Sequence, residues 1–357
     1  MIELLSEHVA NQIAAGEVIQ RPASAVKELL ENAIDAQSTK VQLIVKDAGA
    51  SLVQVMDNGM GMTKEDAEIC FKKHATSKIK NTDDLFSISS KGFRGEALSS
   101  IAAVSQVELK TKKIESDIGH QVKIEASKVV SSEPCAFSNG TSISMRNLFF
   151  NVPARRNFLK SKGVETKHII DEFHRVALTH PEIHFTMHHN NNVVFDLPIT
   201  NTRQRIVSIF GKKYNERLVP VDEETSITKI SGFVLKPEFS KRTRGEQFLF
   251  INNRFIRNNS INHAIKVVFK DLIGNDSYPS YFIYLTVPLD SIDVNIHPSK
   301  TEIKFEDERA VYELVKSSVR SSLSRNNIAP SIDFNPETSF DFPPLKPGES
   351  IKIPSIK

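Results

Sequence analysis

Glu28 and Asn32 lie four positions apart in a stretch, 22–36, whose apolar residues recur at helical spacing. Side chains four apart on a helix stand one above the other, so an acid and an amide here could serve an attacking water and a metal ion. Most helices with one polar face are simply solvated amphipathic helices. The pair therefore gains meaning only if other segments join it.

A glycine-containing turn, DNGMGM at 57–62, follows a predicted strand and precedes a predicted helix. Its carboxylate, Asp57, could accept a hydrogen bond from an exocyclic amine, and its glycines would let the backbone approach a flat ring. The turn lacks the G-x-G-x-x-G fingerprint, and the chain has no G-x-x-x-x-G-K-[ST] sequence, which excludes a P-loop. An ordinary strand-to-helix turn remains the alternative.

Two further parts of the sequence are candidates for a site. One is a loop with features that suit phosphate binding, and the other is the start of a strand. The sequences KHATSKI (73–79) and KGFRGEAL (91–98) lead into a predicted helix at 96–104. Amide groups at a helix N-terminus bind phosphate, and Arg94 and Lys78 could add charge. A flexible loop before a helix is the commoner explanation of such a motif. Gly140 and Thr141 open a predicted strand and are uninformative alone.

Composition limits the class of protein. The chain has 357 residues, 39% hydrophobic and 25% charged, which is typical of a globular protein of about two domains. It contains no run of ~18 apolar residues and no secretion signal at its start. Cys70 and Cys135 are too far apart in sequence for a metal-binding pair and suggest a reducing compartment. The net charge of +3 is too small to indicate a general electrostatic attraction to nucleic acid.

The remaining patterns predict two folded parts and a tail. Strands are predicted at 41–46, 52–56, 107–112, 121–126, 141–146, 183–188, 193–197, 230–235, 247–251 and 281–288. Helices are predicted at 22–36, after a capping box at Thr63 and Asp66, and at 96–104, 164–179, 202–210, 260–271 and 307–323. We expect domains at 1–210 and 211–325. We expect a Pro-rich, disordered linker at 326–357.

The four segments occur together in the order typical of the GHKL ATPase superfamily, and the chain closely resembles the MutL family of DNA mismatch-repair proteins within it. The segments that carry the resemblance are NQIAAGEVIQRP (11–22), KELLENAIDA (27–36), HATSKI (74–79), GFRGEAL (92–98), LFFNVPARR (148–156), FINNRFI (250–256) and DVNIHPSKTEIKF (293–305). The resemblance covers 1–325. Its departures, at Lys73 and Val152, lie outside the core motifs.

The resemblance implies a role for each matching residue. Glu28 is the implied general base, and Asn32 the implied ligand of Mg²⁺. Asp57 and Thr141, with waters, are implied to bind adenine, and Lys300 is implied to reach the γ-phosphate from the second domain. Further implied nucleotide-binding residues are Ala36, then Gly59, Gly61 and Met62 at the floor of the base pocket, and Thr76, Ser77, Lys78, Gly92, Phe93, Arg94, Gly95, Glu96, Ala97 and Leu98 in a phosphate lid.

The resemblance also implies a fold, cofactors and partners. The fold is α/β, a Bergerat-type sandwich followed by a ribosomal-S5-like transducer, with ATP and Mg²⁺ as cofactors. The implied function is a mismatch-repair ATPase that acts as an ATP-gated dimerising clamp and couples mismatch recognition to downstream repair enzymes. Its implied partners are non-specific DNA, the mismatch-recognition protein MutS, a downstream nuclease or helicase and a second copy of the chain, with no membrane.

The same resemblance sets expectations for location and extent. A bacterial relative would be cytoplasmic, and a eukaryotic one nuclear. Family members normally continue into a C-terminal dimerisation domain, so we expect this chain to be a fragment. It contains no DQHAxxE-type motif, so we expect no nuclease activity to be encoded in it.

Other functions fit less well. A histidine kinase would need a phosphoacceptor helix before Glu28, where only 27 residues stand, and a gyrase would need a toprim region. A clamp whose output is binding, with slow hydrolysis as a reset, stays open. His184 and His188 share a strand face, but no acid or cysteine is spaced to complete a metal site with them.

Basic residues recur near predicted loops. They are Arg155, Arg156, Lys160, Lys162, Lys212, Lys213, Lys241, Arg242, Arg244, Arg254 and Arg257. A scattered charged surface is the simplest interpretation. The resemblance favours contacts with the DNA backbone instead, which would be independent of base sequence, and we select Arg254 and Arg257 as the candidate contacts.

Overall fold

A computed structural model describes residues 7–77, 95–225, 228–293 and 303–328. In these ranges the helices are α1 (Glu7–Val18), α2 (Pro22–Asp35), α3 (Lys64–Ile69), α4 (Ala97–Val104), α5 (Pro153–Asn157), α6 (Lys162–Thr179), α7 (Thr202–Phe210), α8 (Asn259–Phe269) and α9 (Glu308–Arg325). The strands are β1 (Lys40–Lys46), β2 (Leu52–Asp57), β3 (Gln106–Lys112), β4 (Gly119–Glu125), β5 (Lys128–Cys135), β6 (Gly140–Arg146), β7 (His184–His189), β8 (Asn192–Leu197), β9 (Leu218–Glu224), β10 (Lys229–Leu235), β11 (Gln247–Ile251), β12 (Arg254–Phe255), β13 (Tyr281–Thr286), β14 (Ile292–Asp293) and β15 (Lys304–Phe305).

The larger sheet has eight strands in the order β5-β4-β3-β6-β2-β1-β7-β8. Neighbouring strands are antiparallel except β1 and β7, which are parallel. Along β1 every second side chain is buried, because one face of the sheet meets the core. That core joins the sheet to α1, α2, α4 and α6. The predicted α/β class is confirmed.

Local sequence signals account for the hairpins of this sheet. Strands β1 and β2 are joined across a turn in which Asp47 and Ala48 have positive φ, and β7 and β8 across Asn190 and Asn191, also with positive φ. The hydroxyl of Thr63 accepts a hydrogen bond from the Asp66 amide and begins α3, as the capping box predicts. The four strands of these hairpins and the cap agree with the sequence predictions.

The smaller sheet has the order β12-β11-β13-β10-β9, with β11 and β13 parallel and the other neighbours antiparallel. Helices α8 and α9 pack on each other, and α9 packs on β9. They share a second apolar core with the sheet. A separate two-stranded sheet is formed by β14 and β15.

A third apolar cluster lies between the smaller sheet and helices α6 and α7. The Phe210 ring at the end of α7 packs against Tyr214, Phe248 and Phe282, with centroids 5.2 to 5.8 Å apart. The Tyr284 hydroxyl donates a hydrogen bond of 3.0 Å to the carbonyl of Leu178 in α6. These contacts fix the smaller sheet against α6 and α7.

None of the helices in the described ranges combines the length and the apolar character that a membrane span requires.

Candidate functional site

Helix α2 carries the first two candidate residues. Pro22 suits its first turn because the missing N–H would have no partner inside the helix. Glu28 and Asn32 are half-buried on the side opposite the core, and Lys27 Nζ lies 3.8 Å from Glu28 Oε1. The side facing the core buries Val26, Leu29, Leu30 and Ala33. The helix therefore holds the acid and the amide one turn apart, as their spacing predicts.

Three carboxylates lie close enough to Lys27 to act on its charge. Burial lowers the pKa of Lys27, but the negative charges of Glu31, Glu28 and Glu172 more than offset it, so the pKa stands above its ordinary value. Arg254 is near enough for its charge to oppose them. Glu31, which the helical pattern assigns to the polar face, is buried. Lys27 is therefore a permanent cation beside Glu28.

The C-terminal end of α2 is tied to the turn at 57–62. The Met60 amide donates a hydrogen bond of 3.0 Å to the carbonyl of Ala36. The Ser38 hydroxyl is 2.6 Å from the carbonyl of Ala33 and 3.2 Å from Asp57 Oδ1. Two segments that are separate in sequence are thus joined into one site.

Asp57 ends β2 in a half-buried position. Its Oδ1 accepts a 2.8 Å hydrogen bond from the Gly59 amide and the bond from Ser38. Burial raises the pKa of Asp57 to about 6, although hydrogen bonds from Gly59, Ser38 and Thr141 act to lower it. A carboxylate held in this way is ionised at neutral pH and suited to accept a further donor.

A buried hydroxyl that sequence reasoning missed organises the wall beside Asp57. Thr111 Oγ1 lies 3.0 Å from Thr141 Oγ1 and accepts a 2.9 Å hydrogen bond from the Met62 amide. Thr141 is the register partner of Asp57 across β2 and β6. The available signal was the alternation of β3, which buries Thr111 completely, because a buried hydroxyl requires partners.

Gly61 lets the turn lie against the sheet. It has φ of +66°, and a Cβ there would stand 2.2 Å from the carbonyl oxygen of Lys112. No other residue type fits this position without moving β3. The structure thus brings six predicted site residues together where the central strand β2 ends and its neighbour β6 begins: Ala36, Asp57, Gly59, Gly61, Met62 and Thr141.

The two ends of the predicted lid also meet. Gly95 has φ of +61°, and a Cβ there would stand 2.6 Å from the carbonyl oxygen of Ala75. Glu96 is the N-cap residue of α4, which begins at Ala97 and continues through Leu98. Thr76 and Ser77 are exposed directly after Ala75. Four other predicted lid residues, and the predicted second-domain residue, lie outside the described residues: Lys78, Gly92, Phe93, Arg94 and Lys300.

Known proteins match this chain over both sheets. A family model described as histidine kinase-, DNA gyrase B- and HSP90-like ATPase matches 20–147, and one described as the C-terminal domain of DNA mismatch repair protein matches 206–324. DNA mismatch repair protein MutL of Christiangramia forsetii is 59% identical over 96% of this chain and 56% of its own length. The MutL of Bacteroides fragilis is 48% identical over 96% of this chain and 55% of its own length.

The chain belongs to the MutL family and corresponds to its N-terminal region. It spans about half the length of the MutL relatives it matches, between 55% and 58% for these and two further examples.

Solved structures agree with the MutL assignment. A crystal structure of the N-terminal domain of a DNA repair protein superimposes with a TM-score of 0.77 at 25% identity, covering 90% of this chain and 99% of the other. The Aquifex aeolicus MutL ATPase domain complexed with ADP superimposes with a TM-score of 0.61 at 25% identity, covering 85% of this chain and 98% of that one. The predicted GHKL ATPase fold with a second mismatch-repair domain is therefore confirmed.

The candidate DNA contacts of this MutL chain lie in the second part. Arg254 is half-buried on β12, and Arg257 is exposed between β12 and α8. The next residue on β12, Phe255, lies under the guanidinium of Arg175, whose carbon is 4.1 Å from the ring centroid. Strand β12 therefore packs against α6, on the side where Arg254 approaches Lys27.

Two other groups noted in the sequence have structural roles. Arg155 donates hydrogen bonds of 2.9 and 3.0 Å to the carbonyls of Gly16 and Ile19, so it fastens the end of α1. His184 Nε2 lies 2.7 Å from Asp196 Oδ1 across β7 and β8. Within the described ranges, no group of three or more His, Cys, Asp or Glu residues could hold a metal ion.

Proposed function

We propose that this chain hydrolyses ATP with the help of Mg²⁺, and that hydrolysis resets a clamp used in DNA mismatch repair. The observation that supports this most strongly is the joining of α2 to the turn at 57–62 through Ala36 and Ser38. It supports the proposal because it ties the Asp57 carboxylate, the proposed adenine acceptor, to the C-terminal end of the helix that carries Glu28 and Asn32 half-buried on the side opposite the core.

Glu28 is proposed as the general base. Its carboxylate is half-buried on the side of α2 opposite the core, 3.8 Å from Lys27 Nζ. A carboxylate in that position can accept a proton from water. The attacking water would transfer that proton as its oxygen bonds to the γ-phosphorus and the bond to the β–γ bridging oxygen breaks. ADP and inorganic phosphate are the products.

Asn32 is proposed to hold the metal. A carboxamide oxygen is a hard ligand, and Mg²⁺ commonly takes one or two protein ligands with phosphate oxygens and water supplying the rest. A single half-buried amide on the side of α2 opposite the core fits that arrangement. Bound Mg²⁺ would neutralise charge on the phosphates. The residues of the chain would orient the nucleotide and the water.

Asp57 and Thr141 are proposed to bind adenine. Replacing Asp57 with Asn should weaken nucleotide binding by about 1–3 kcal/mol, roughly 5- to 150-fold. The reason is that the new amide can turn its own N–H donor towards the exocyclic amine, which is also a donor. Binding by the wild type should also weaken as pH falls below about 6, where the carboxylate takes up a proton. The variant should lack this contribution and keep only the pH dependence that comes from protonation of the nucleotide's terminal phosphate. Calorimetry between pH 5 and 7.5 measures both effects, and equal affinities for the two proteins would place adenine elsewhere.

The clamp would require a second copy of the chain and DNA. We propose that ATP orders the lid at 92–98, which then completes a dimer surface. We also propose that basic residues of the second part, including Arg254 and Arg257, hold DNA without regard to sequence.

MutS and a downstream nuclease or helicase are the proposed partners, in a bacterial cytoplasm. We propose domains at 1–210 and 211–325 and a Pro-rich linker at 326–357, and we propose no nuclease activity for this chain.

Lys300 is proposed to sense the γ-phosphate, as the resemblance implies. Replacing Lys300 with Ala should lower hydrolysis sharply and weaken binding of a non-hydrolysable ATP analogue, but leave the affinity for ADP nearly unchanged. A contact made only with the triphosphate supplies the differential free energy that a switch requires. Calorimetric titrations with ADP and with the analogue compare the two, and equal losses for both would exclude the sensing role.

Light scattering during titration with an ATP analogue tests the clamp as a whole. The scattered mass should rise from one copy to two as the nucleotide binds, and it should stay at one copy with ADP. Binding without a rise in mass would contradict nucleotide-driven dimerisation while leaving the ATP site itself intact.

A further inference from the structure

The Ser38 hydroxyl lies between two acceptors that belong to different parts of the candidate site. Its Oγ is 2.6 Å from the carbonyl oxygen of Ala33, in the last turn of α2, and 3.2 Å from Oδ1 of Asp57, at the end of β2. Ser38 is buried, so water does not compete for its hydroxyl. The proposed acceptor for adenine and the helix that carries Glu28 and Asn32 therefore meet at one hydroxyl group.

The two acceptors compete for one proton. A serine hydroxyl has a single hydrogen to donate, and neither a carbonyl nor an ionised carboxylate can donate in return. The serine is held in place, because the amides that follow it, of Thr39 and Lys40, both donate to Oδ1 of Asn58, at 2.9 and 2.8 Å. Any further donor that reaches Asp57 weakens the carboxylate's share of the proton and strengthens the share of the Ala33 carbonyl.

The Ala33 carbonyl depends on this proton more than a carbonyl in the middle of a helix would. Helix α2 closes with a residue of positive φ, Gln37 at +59°. The Gln37 amide donates to the Ile34 carbonyl at 2.8 Å, but the Ser38 amide is 3.4 Å from the Ala33 carbonyl. These are the two main-chain bonds of a Schellman cap, and the outer one is long. The Ser38 hydroxyl, at 2.6 Å, is therefore the closer donor to Ala33 and strengthens the end of the helix.

We propose that Ser38 is a positioning residue: a nucleobase amine that donates to Asp57 shifts the Ser38 proton towards Ala33 and stabilises the last turn of α2. Asn32 lies in that turn, and the Ala36 amide donates to its carbonyl at 3.0 Å. The base thereby helps to place the residue proposed to hold the metal. This rests on the adenine site proposed above and adds the way in which that site acts on α2.

Amide hydrogen exchange with two nucleotides tests the proposal without any substitution. ADP carries the exocyclic amine, whereas purine riboside 5′-diphosphate has the same rings and phosphates but lacks it. With Mg²⁺ chelated, saturating ADP should slow exchange at the amides of Gln37 and Ser38 by roughly 2- to 10-fold, the contribution of one hydrogen bond. The riboside should not, although both nucleotides should slow exchange at 57–62. Equal slowing at Gln37 and Ser38 by the two nucleotides would show that burial by the ligand protects this turn, and would overturn the proposal.

Ser38→Ala changes how binding depends on pH. Burial raises the pKa of Asp57 to about 6 against hydrogen bonds from Gly59, Ser38 and Thr141, and no charged side chain of the described residues is among these influences. Without the Ser38 bond the pKa rises further, so the carboxylate is lost at a higher pH. The ratio of wild-type to Ser38→Ala affinity for ADP should therefore grow as pH falls from about 7.5 towards 6, and protonation of the nucleotide cancels in that ratio. A constant ratio would leave Ser38 with a packing role and contradict the proposal.

Two further variants complete the test. Ser38→Thr keeps a hydroxyl and should restore both the ADP-dependent slowing at Gln37 and the wild-type pH dependence. Ser105→Ala is the control, because it removes another fully buried hydroxyl, which donates to the carbonyl of Ile101 in α4, and it should leave both properties unchanged. Slowing by ADP at 57–62 without any at Gln37 would reject the role of Ser38 and leave the adenine site standing. No slowing at 57–62 would remove the adenine site itself.

Discussion

Replacing Glu28 with Ala should lower ATP hydrolysis by roughly 100- to 10,000-fold, the usual contribution of a positioned base. The affinity for ATP should stay within a few-fold of the wild type, because the base acts on water and not on the nucleotide. Phosphate release at saturating ATP, with calorimetry on a non-hydrolysable analogue, measures the two quantities independently.

Two further variants make the Glu28 result specific. Glu28→Gln keeps the shape of the side chain and should be as inactive as the alanine variant, since an amide takes up no proton from water. Glu172→Ala removes another carboxylate that acts on Lys27, from α6 and not from α2, and should retain most activity. Hydrolysis at the native rate by Glu28→Ala would show that the base has been assigned wrongly.

Replacing Asn32 with Ala should weaken both binding and hydrolysis. The lost interaction is with a charged partner, worth about 1.5–3 kcal/mol, or roughly 10- to 150-fold in affinity for the Mg²⁺ complex of ATP. Titrations with and without Mg²⁺ separate this from general damage to the site.

The comparison without the metal decides the role of Asn32. With the metal chelated, wild type and Asn32→Ala should bind ATP with similar affinities, because the difference between them arises through Mg²⁺. Gln54→Ala, on β2 outside the site, serves as the control and should match the wild type in both conditions. An Asn32 defect of the same size with and without Mg²⁺ would exclude a role as its ligand.

Elements with a clear period or a strong cap could be predicted from the sequence, as α2 and the hairpin of β1 and β2 show. Strand β5 was missed because most of its side chains are exposed, which removes the alternation, and because it contains Pro134. Such a proline is tolerated there because β5 is the edge of its sheet. Strand β9 also contains a proline, Pro220, at an edge.

The site was predictable as separate motifs but not as an arrangement. Glu28, Asn32 and Asp57 each have an ordinary structural explanation, and only their order along the chain pointed to nucleotide chemistry. Sequence periodicity carries no information about contacts such as Met60 with Ala36, which depend on how α2 meets the sheet. The alternation of β3 marks Thr111 as buried, but its partner Thr141 on the neighbouring strand β6 follows from the strand order, which the alternation does not give.

Amide hydrogen exchange, with and without a non-hydrolysable ATP analogue and Mg²⁺, tests the central claim most directly. Adenine bound between the turn at 57–62 and the start of β6 would slow exchange at the amides of that turn and around Thr141, in addition to any change in the lid. Saturating analogue that leaves the amides at 57–62 and 140–141 unchanged would contradict the account, because the nucleotide would then bind elsewhere or not at all.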